Sequence, residues 1–477
     1  MARVSTRSFI FFRLSPVRVN SLIAFAIEQG KTGKSFGVLS AKFETFERSL
    51  LTSKAKFPIH NLSQLVAENF LNGIFKKRDF YGEGTLLVNV WDLYRDEVVL
   101  EESLERIKTT SEENDRFEAK EGDVFFCRSS LKPEGVGWSC LLEKLNEPAV
   151  FECHLIRARV NSKKILPSFL NYFARSYFGV SYIRAKSVVT TMATIDQGTL
   201  YNLPVICPPV EKQIEIVAAM DEARSQRKQK LAEADALLSS LDDYLLNILG
   251  LETPIKDERK VFAISLQDVK SQGRLNSDYF HPERILALRA MITAAETINC
   301  EKLERIVDFV REKIKKPSEN YLGLAHVQSN TGELTNVDDM ATGDCFTFQA
   351  DDVLFARLRP YLNKVYCAEM DGCCSPEFHV LRIYDKNLIL PNYLAVILRS
   401  RLILAQTIHM MTGNTHPRLT NDDVTNLLIP IPKIETQEEI SQEVKRRKSE
   451  AQRLRSEAET GWQAAKQWFE EQLLGGS

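Results

Sequence analysis

A chain of 477 residues, 44% hydrophobic and 26% charged, has apolar material for roughly two to four domain cores and excludes a disordered, collagen-like or low-complexity class. Its 62 basic and 64 acidic residues leave a formal net charge of −2, so any nucleic-acid surface has to be a local patch. Nine cysteines without a C-x-x-C pair or regular spacing read as reduced cytosolic thiols, not as a disulfide or zinc framework.

In chain order, the apolar stretch "SFIFFRLSPV" is broken by Arg13 and Pro16 well short of a spanning helix and carries no small-residue cleavage pattern, so the chain is expected to be cytoplasmic, without a membrane partner. "EQGKTGKS" (Glu28 to Ser35) ends like a phosphate-binding loop. Glu28, however, stands where that loop needs glycine and would set a carboxylate where N–H groups cradle phosphate, so a flexible basic turn is the better reading. "FKKRDFYGEG" (Phe75 to Gly84) places Lys76, Lys77 and Arg78 among aromatics and glycine, a composition that lets a loop approach phosphates and base edges. A solvated surface loop is the plain alternative. Asp92 followed by Glu118-x-Lys120 loosely resembles the acidic pair and lysine of metal-dependent nucleases. Those groups would have to converge from adjacent strands, whereas "SEENDRFEAKEGD" reads as a polar loop, and the seven histidines are scattered without ligand spacing. No catalytic residue and no metal ligand is assigned.

"GDVFFCR" (Gly122 to Arg128) and "ECHLIR" (Glu152 to Arg157) read as strands, with Gly122 supplying the turn before the first and Arg128 following it. "NLPVICPPVEKQ" (Asn202 to Gln213) ends a strand-like run and opens a helix: prolines in a first turn forfeit no hydrogen bond, and Glu211 faces the positive helix end. Leu231, Ala234, Leu238, Leu241, Leu245 and Ile248 then recur at spacings of three and four until Gly250, a seam that wants a partner helix. From Glu211 to Leu249 such a helix would measure about 58 Å at ~1.5 Å per residue. The plain alternative is an amphipathic helix lying on its own domain.

The second half repeats this plan. "DDVLFAR" (Asp351 to Arg357) faces the first strand and "EFHVLR" (Glu377 to Arg382) the second, which would give His154 and His379 one shared position as satisfied strand histidines. "VREKIKKPSENY" (Val310 to Tyr321) and "ARLRPYLNK" (Ala356 to Lys364) offer Arg311, Lys313, Lys315, Arg357, Arg359 and Lys364 as basic candidates. The loop "TGNTHPRLT" (Thr412 to Thr420) offers Asn414 and Arg418 as base readers, and its first-half counterpart "VVTTMATID" keeps only Thr191 for Thr415. "NLLIPIPKIETQ", from Asn426, then returns the helix entrance 224 positions after Asn202, with Pro167/Pro391, Leu170/Leu394 and Arg175/Arg399 in the same gapless register. Ala451, Leu454, Ala458, Trp462, Ala465 and Phe469 draw a matching stripe. The period is far too long for a solenoid and reads as duplication of whole domains. Neither an N-P-P-[FY] methylation signature nor a glycine-rich cofactor loop occurs.

This arrangement resembles the specificity subunit of type I restriction-modification enzymes. The likeness runs over essentially the whole chain and is carried by the duplicated junction, "LPVICPPVEKQ" and "LIPIPKIETQ", and by the strand "GDVFFCR" and "DDVLFAR"; Lys433 replaces the paired proline of the second junction. The resemblance implies an α+β fold of two tandem strand-rich target-recognition domains, 1–207 and 251–431, each followed by a spacer helix, 208–250 and 432–477. The helices would pack as an antiparallel coiled coil through Leu231, Leu238, Leu241, Leu245, Ala458, Trp462, Ala465 and Phe469. It further implies a chain with no catalysis or cofactor of its own that grips double-stranded DNA and reads a bipartite, asymmetric target with a gap of set length. Its partners would be two modification (methylase) subunits using S-adenosylmethionine and restriction (motor and nuclease) subunits using ATP and magnesium. A methylation-only assembly would use the same architecture. A coiled-coil scaffold whose heads bind proteins is the alternative from another class, and it predicts no salt-dependent DNA affinity.

Overall fold

The structure, a computed structural model, describes residues 54–189, 191–251, 261–272, 277–294, 298–315, 320–337, 339–341, 343–411, 413 and 415–475. The "SFIFFRLSPV" and "EQGKTGKS" segments and Asn414 lie outside the described residues. The chain divides into two units. Unit 1 takes the described residues up to Arg227 together with those from Glu459 onward, and unit 2 runs from Lys228 to Ala458.

Unit 1 contains β1 (Ile59–Asn61), β2 (Leu71–Asn72), β3 (Asp123–Cys127), β4 (Ser139–Leu141), β5 (Leu155–Arg159) and β6 (Pro204–Ile206). β1 pairs antiparallel with β6, and the other four form a sheet in the order β2-β5-β3-β4. β3 is buried along its whole length, as its unbroken apolar run requires. Gly122 turns the chain into it at φ +87, a left-handed conformation glycine adopts freely, and the Asp123 carboxylate receives a two-pronged bond from Arg159 at 2.7 and 2.8 Å. Helix α1 (Pro167–Ala174) and the first part of α2 (Val210–Ser239) cover this sheet. The helical segment from Glu459 to Leu473 completes the core: the Phe469 ring lies 5.6 Å from Phe169, Trp462 lies 6.4 Å from Tyr172, and the Leu473 carbonyl accepts the Lys56 amide at 2.9 Å. A second sheet joins Glu105–Ile107, Tyr81–Val88, Ala149–Phe151 and Glu118–Ala119. The "SEENDRFEAKEGD" stretch, expected as a loop, instead forms a helix at Ser111–Arg116 and a strand at Glu118–Ala119. Thr110 and Glu113 close a reciprocal capping box that starts the helix.

Unit 2 contains helix α3 (Leu241–Ile248), then β7 (Asn299–Lys302), β8 (Val307–Val310), β9 (Val353–Ala356), β10 (Val365–Cys367), β11 (Phe378–Ile383), helix α4 (Pro391–Leu398), β12 (Leu428–Ile431) and most of α5 (Ile434–Leu473). The unit 1 plan recurs: β7 pairs antiparallel with β12, and the sheet runs β8-β11-β9-β10. Asp351 replaces Gly122 at the same left-handed turn, φ +72, and Asp352 receives the fork from Arg382 at 2.8 and 2.7 Å. The second sheet differs, combining Lys313–Ile314, Cys345–Phe348, Gly372–Cys374 and Tyr321–Leu322.

Two expectations are corrected. His154 and His379 do not share a position: β5 and β3 pair Ile156 with Phe126, whereas β11 and β9 pair His379 with Phe355, so the structural partner of His379 is Ile156 and His154 precedes the strand. A slip of two residues keeps every side chain on its face, which is why the alternating patterns match in either register. The first long helix is also interrupted. Ser239 and Ser240 donate their hydroxyls back to Ala236 and Leu237, and the Arg447 guanidinium reaches the Ser240 hydroxyl at 2.9 Å and its carbonyl at 3.3 Å, so α2 ends and α3 restarts at Leu241. Gly250, at φ +63, stops α3, with the Leu251 amide on the Leu246 carbonyl at 2.9 Å.

The seam residues divide among three environments. Leu238 packs with Ala234, Leu237, Ala451 and Leu454 in a small cluster between α2 and α5 in unit 2, where Lys230 also meets Glu457 and Asp235 meets Arg455. Leu241 and Leu245 join the core of unit 2, and Trp462, Ala465 and Phe469 join that of unit 1. Leu231 is half-buried and Ala458 buried.

Candidate nucleic-acid interface

Each unit ends its central strand in an arginine and ties that arginine to the linking loop before the helix entrance. In unit 1 the Arg128 amide donates to the His154 carbonyl at 2.7 Å, and its own carbonyl accepts the Ile195 amide at 2.9 Å. In unit 2 the Arg357 amide donates to the Glu377 carbonyl at 2.9 Å, and its carbonyl accepts the Leu419 amide at 3.0 Å. Ile195 and Leu419 stand at the duplicated register, so the same backbone bond is built twice. Both arginine side chains are half-buried.

Around Arg357 the structure gathers several other expected residues. Arg359 occupies a left-handed conformation at φ +50, unfavourable for a residue with a Cβ, and is held there by its amide on the Pro417 carbonyl at 2.7 Å. Arg418 forks onto Glu377 at 2.6 and 3.0 Å. With the Asn421 amide turned so that its oxygen meets Arg311, its nitrogen donates to His379 Nδ1 at 3.2 Å. His379 is buried, and burial together with Arg357 and Arg311 lowers its pKa to about 4. Lys313 and Lys315 are exposed beyond Arg311, and Lys364 instead donates to the Leu324 carbonyl at 2.7 Å, burial lowering its pKa. Sequence reasoning missed Asn421 and the part played by Glu377 and His379, which reach Arg311 and Arg418 only through the fold.

In unit 1 the expected cations are more dispersed. Lys76 pairs with Glu113 at 2.7 Å and lies 5.0 Å over the Phe80 ring; Lys77 is exposed; Arg78 lies 4.9 Å over Tyr81 and 3.6 Å from Glu105. Arg78 and Tyr81 also line a cleft of about 770 Å³, walled by Trp91, Tyr94 and Trp138 and reaching Met192 of the linking loop. These aromatics come from separate segments, so no spacing in the chain announced them. Asp92, Glu118 and Lys120 do not form the nuclease arrangement: the Asp92 oxygens accept from the Asn89 amide at 2.9 Å and the Ser103 hydroxyl at 3.0 Å, while Glu118 pairs with Lys120 at 2.7 Å.

Among the described residues, two groups of three donor side chains come within 4.8 Å, Glu152-Cys153-His154 and His281-Glu283-His409. The second corrects the view of the histidines as scattered. The His281 and His409 rings stack 3.8 Å apart with 11° between their planes, and His409 Nε2 lies 3.1 Å from Glu283. Their in-plane lone pairs run parallel, so one ring would have to turn before both could share an ion. No described helix is long and apolar enough to cross a membrane.

Residues 307–451 match the family model of the type I restriction modification DNA specificity domain. The specificity subunit of the type I restriction enzyme StySPI from Salmonella potsdam is 25% identical over 196 residues, 41% of this chain and 40% of that one. The EcoDI specificity subunit from Escherichia coli is 22% identical over 274 residues, 54% of this chain and 57% of that one. Each alignment thus spans about half the length of the curated relative. A chain from a solved type I restriction-modification system aligns over 88% of this chain and 97% of its own, at 15% identity and a TM-score of 0.48. The chain is thus similar to type I restriction-modification specificity subunits, and the matches do not favour the protein-binding scaffold.

Proposed function

We propose that this chain is the non-catalytic DNA-recognition subunit of a type I restriction-modification complex. Each unit grips one half of a bipartite, asymmetric target through phosphate and base-edge contacts. The observation that carries the reading is the duplicated bond of a strand-end arginine to a linking loop, Arg128 with Ile195 and Arg357 with Leu419. It supports a loop presented by the same frame in both units but carrying different side chains, so that the two half-sites differ. The contact residues are Lys76, Lys77, Arg78 and Arg128 for one half-site and Arg311, Lys313, Lys315, Arg357, Arg359, Lys364, Asn414 and Arg418 for the other. Residues 1–207 and 251–431 are the recognition domains. The helices of 208–250 and 432–477, packed antiparallel as a coiled coil, hold the half-sites at a set distance and dock two methylase subunits and the restriction subunits. The polar, charged length of α5 supports docking of partners along it.

Co-expression with a methylase from the same system, followed by methylation-sensitive sequencing of the host DNA with and without this chain, tests the reading. A bipartite asymmetric motif methylated only when the chain is present is the expected result. A folded complex without chain-dependent methylation would refute it.

A further inference from the structure

We propose that the unit 1 cleft binds one unstacked nucleotide, with a guanine base held among Trp91, Tyr94 and Trp138; the inference deepens the DNA-recognition reading and rests on it where the nucleotide belongs to DNA. At about 770 Å³ the cleft has the size of an ordinary ligand site. Trp91 and Tyr94 keep 41% and 43% of their surface exposed there, a large aromatic area on which a base can stack whatever its identity.

The polar groups then select among bases. Asn89 is 1% exposed and lines the cleft. Its backbone carbonyl accepts the Asp92 amide at 3.2 Å and its own amide donates to the Asp92 carboxylate at 2.9 Å, which hold the residue in the turn, while its side-chain Nδ2 has no partner among the described residues. Trp138 Nε1, also buried in the cleft wall, has none either. Two unpartnered donors in the wall of one cavity suit a ligand that turns acceptors toward them. Guanine offers O6 and N7 side by side, whereas adenine sets an amino donor beside N7. Arg78 and Lys132 at the mouth suit a phosphate, and Glu134 and Glu152 beside them suit a single phosphate better than a polyphosphate.

The test is calorimetric titration of the full chain with guanosine 5′-monophosphate, with adenosine 5′-monophosphate, and with duplexes carrying one bulged guanine or none. Asn89→Asp keeps the size of the side chain and removes the donor, and Trp91→Ala removes an exposed ring without touching the core; thermal melting of both variants controls for folding. Saturable binding of the guanine nucleotide is expected, roughly tenfold tighter than adenine, and roughly tenfold weaker in each variant. Preference for the bulged duplex alone, lost in the variants, supports the pocket with DNA as the source of the nucleotide. Mononucleotide binding without any DNA affinity supports the pocket and removes the DNA reading instead. If wild type holds neither the mononucleotide nor the bulged duplex more tightly than both folded variants do, the proposal falls.

Discussion

Gln213 clamps Leu166: its Oε1 accepts the Leu166 amide at 2.8 Å while its Nε2 donates to the carbonyls of Pro208 at 2.7 Å and Lys164 at 3.0 Å. In unit 2, Gln437 accepts from Leu390 at 2.9 Å and donates to Pro432 at 2.8 Å and Leu388 at 3.0 Å. Both glutamines are fully buried in the first turn of a long helix, and each fastens that turn to the loop before a shorter helix. The repeated helix entrance is therefore a joint, and its glutamine is the fastener. Gln213→Ala or Gln437→Ala would strand a buried N–H and two carbonyls, and a loss of about 2–4 kcal/mol is expected in urea denaturation. A loss under about 0.5 kcal/mol would mean water replaces the amide at no cost.

His379 makes unit 2 sensitive to acid. With its folded pKa near 4, below the ordinary 6.5, the unfolded chain takes up the proton first as pH falls through that interval. Stability should drop below about pH 6.5, by roughly 2–3 kcal/mol at pH 4. His379→Leu should remove that share of the slope in melting curves recorded from pH 7.5 to 5; an unchanged slope would assign the sensitivity to other groups.

Lys448 has the same sign at higher pH. Burial and the neighbouring Arg399 lower its pKa to about 7 against the pull of Glu333, and its ammonium donates to the Thr331 carbonyl. Between about pH 7 and 10 the unfolded chain holds a proton the folded chain has released, so stability rises with pH. Lys448→Met should stabilise the protein at pH 7 by on the order of 1–2 kcal/mol and flatten that rise. A destabilised variant would show that the bond to Thr331 outweighs the burial.

For the exposed cations the readout is salt dependence. Lys77→Ala and Lys313→Ala should each lower the slope of log affinity against log salt by about 0.9, with little effect on which sequence is preferred. Slopes equal to wild type would remove these residues from the contact set.

The spacer reading predicts a change in target geometry. Seven residues added to each helix, beside Leu231 and beside Leu454, preserve the buried face and lengthen the pair by about 10 Å, on the order of three base pairs. The gap in the methylated motif should widen accordingly. A folded protein with its original gap would show that something other than helix length sets the spacing.

Local chemistry made parts of this fold legible before the structure. Gly122 signalled a turn, Gly250 a helix stop, and the Pro-to-Gln junction two helix entrances, each because few residues suit the required backbone. The helices begin at Val210 and Ile434, just after the prolines expected inside the first turn. What stayed hidden depends on distant partners. A period of two cannot report a two-residue slip between β5 and β11, and the interruption at Ser240 is completed by Arg447, far along the chain. The Arg357 neighbourhood was partly legible as a run of cations, but Asn421 and His379 enter it only through the fold. Trp91, Tyr94 and Trp138 converge for the same reason.

The way unit 1 is closed also has a temporal side. Trp462, Phe469 and Leu473 belong to its core, yet they emerge from the ribosome only after Lys228–Ala458 has been made. At about 5–20 residues per second, the first recognition unit waits roughly ten to fifty seconds for the pieces that finish it. During that interval the faces of Phe169 and Tyr172 that later meet Trp462 and Phe469 lack their covering. The nascent chain is thus a natural client for a holding chaperone, and a transcript truncated before Glu459 yields a protein whose first unit is incomplete although every residue of its sheet is present.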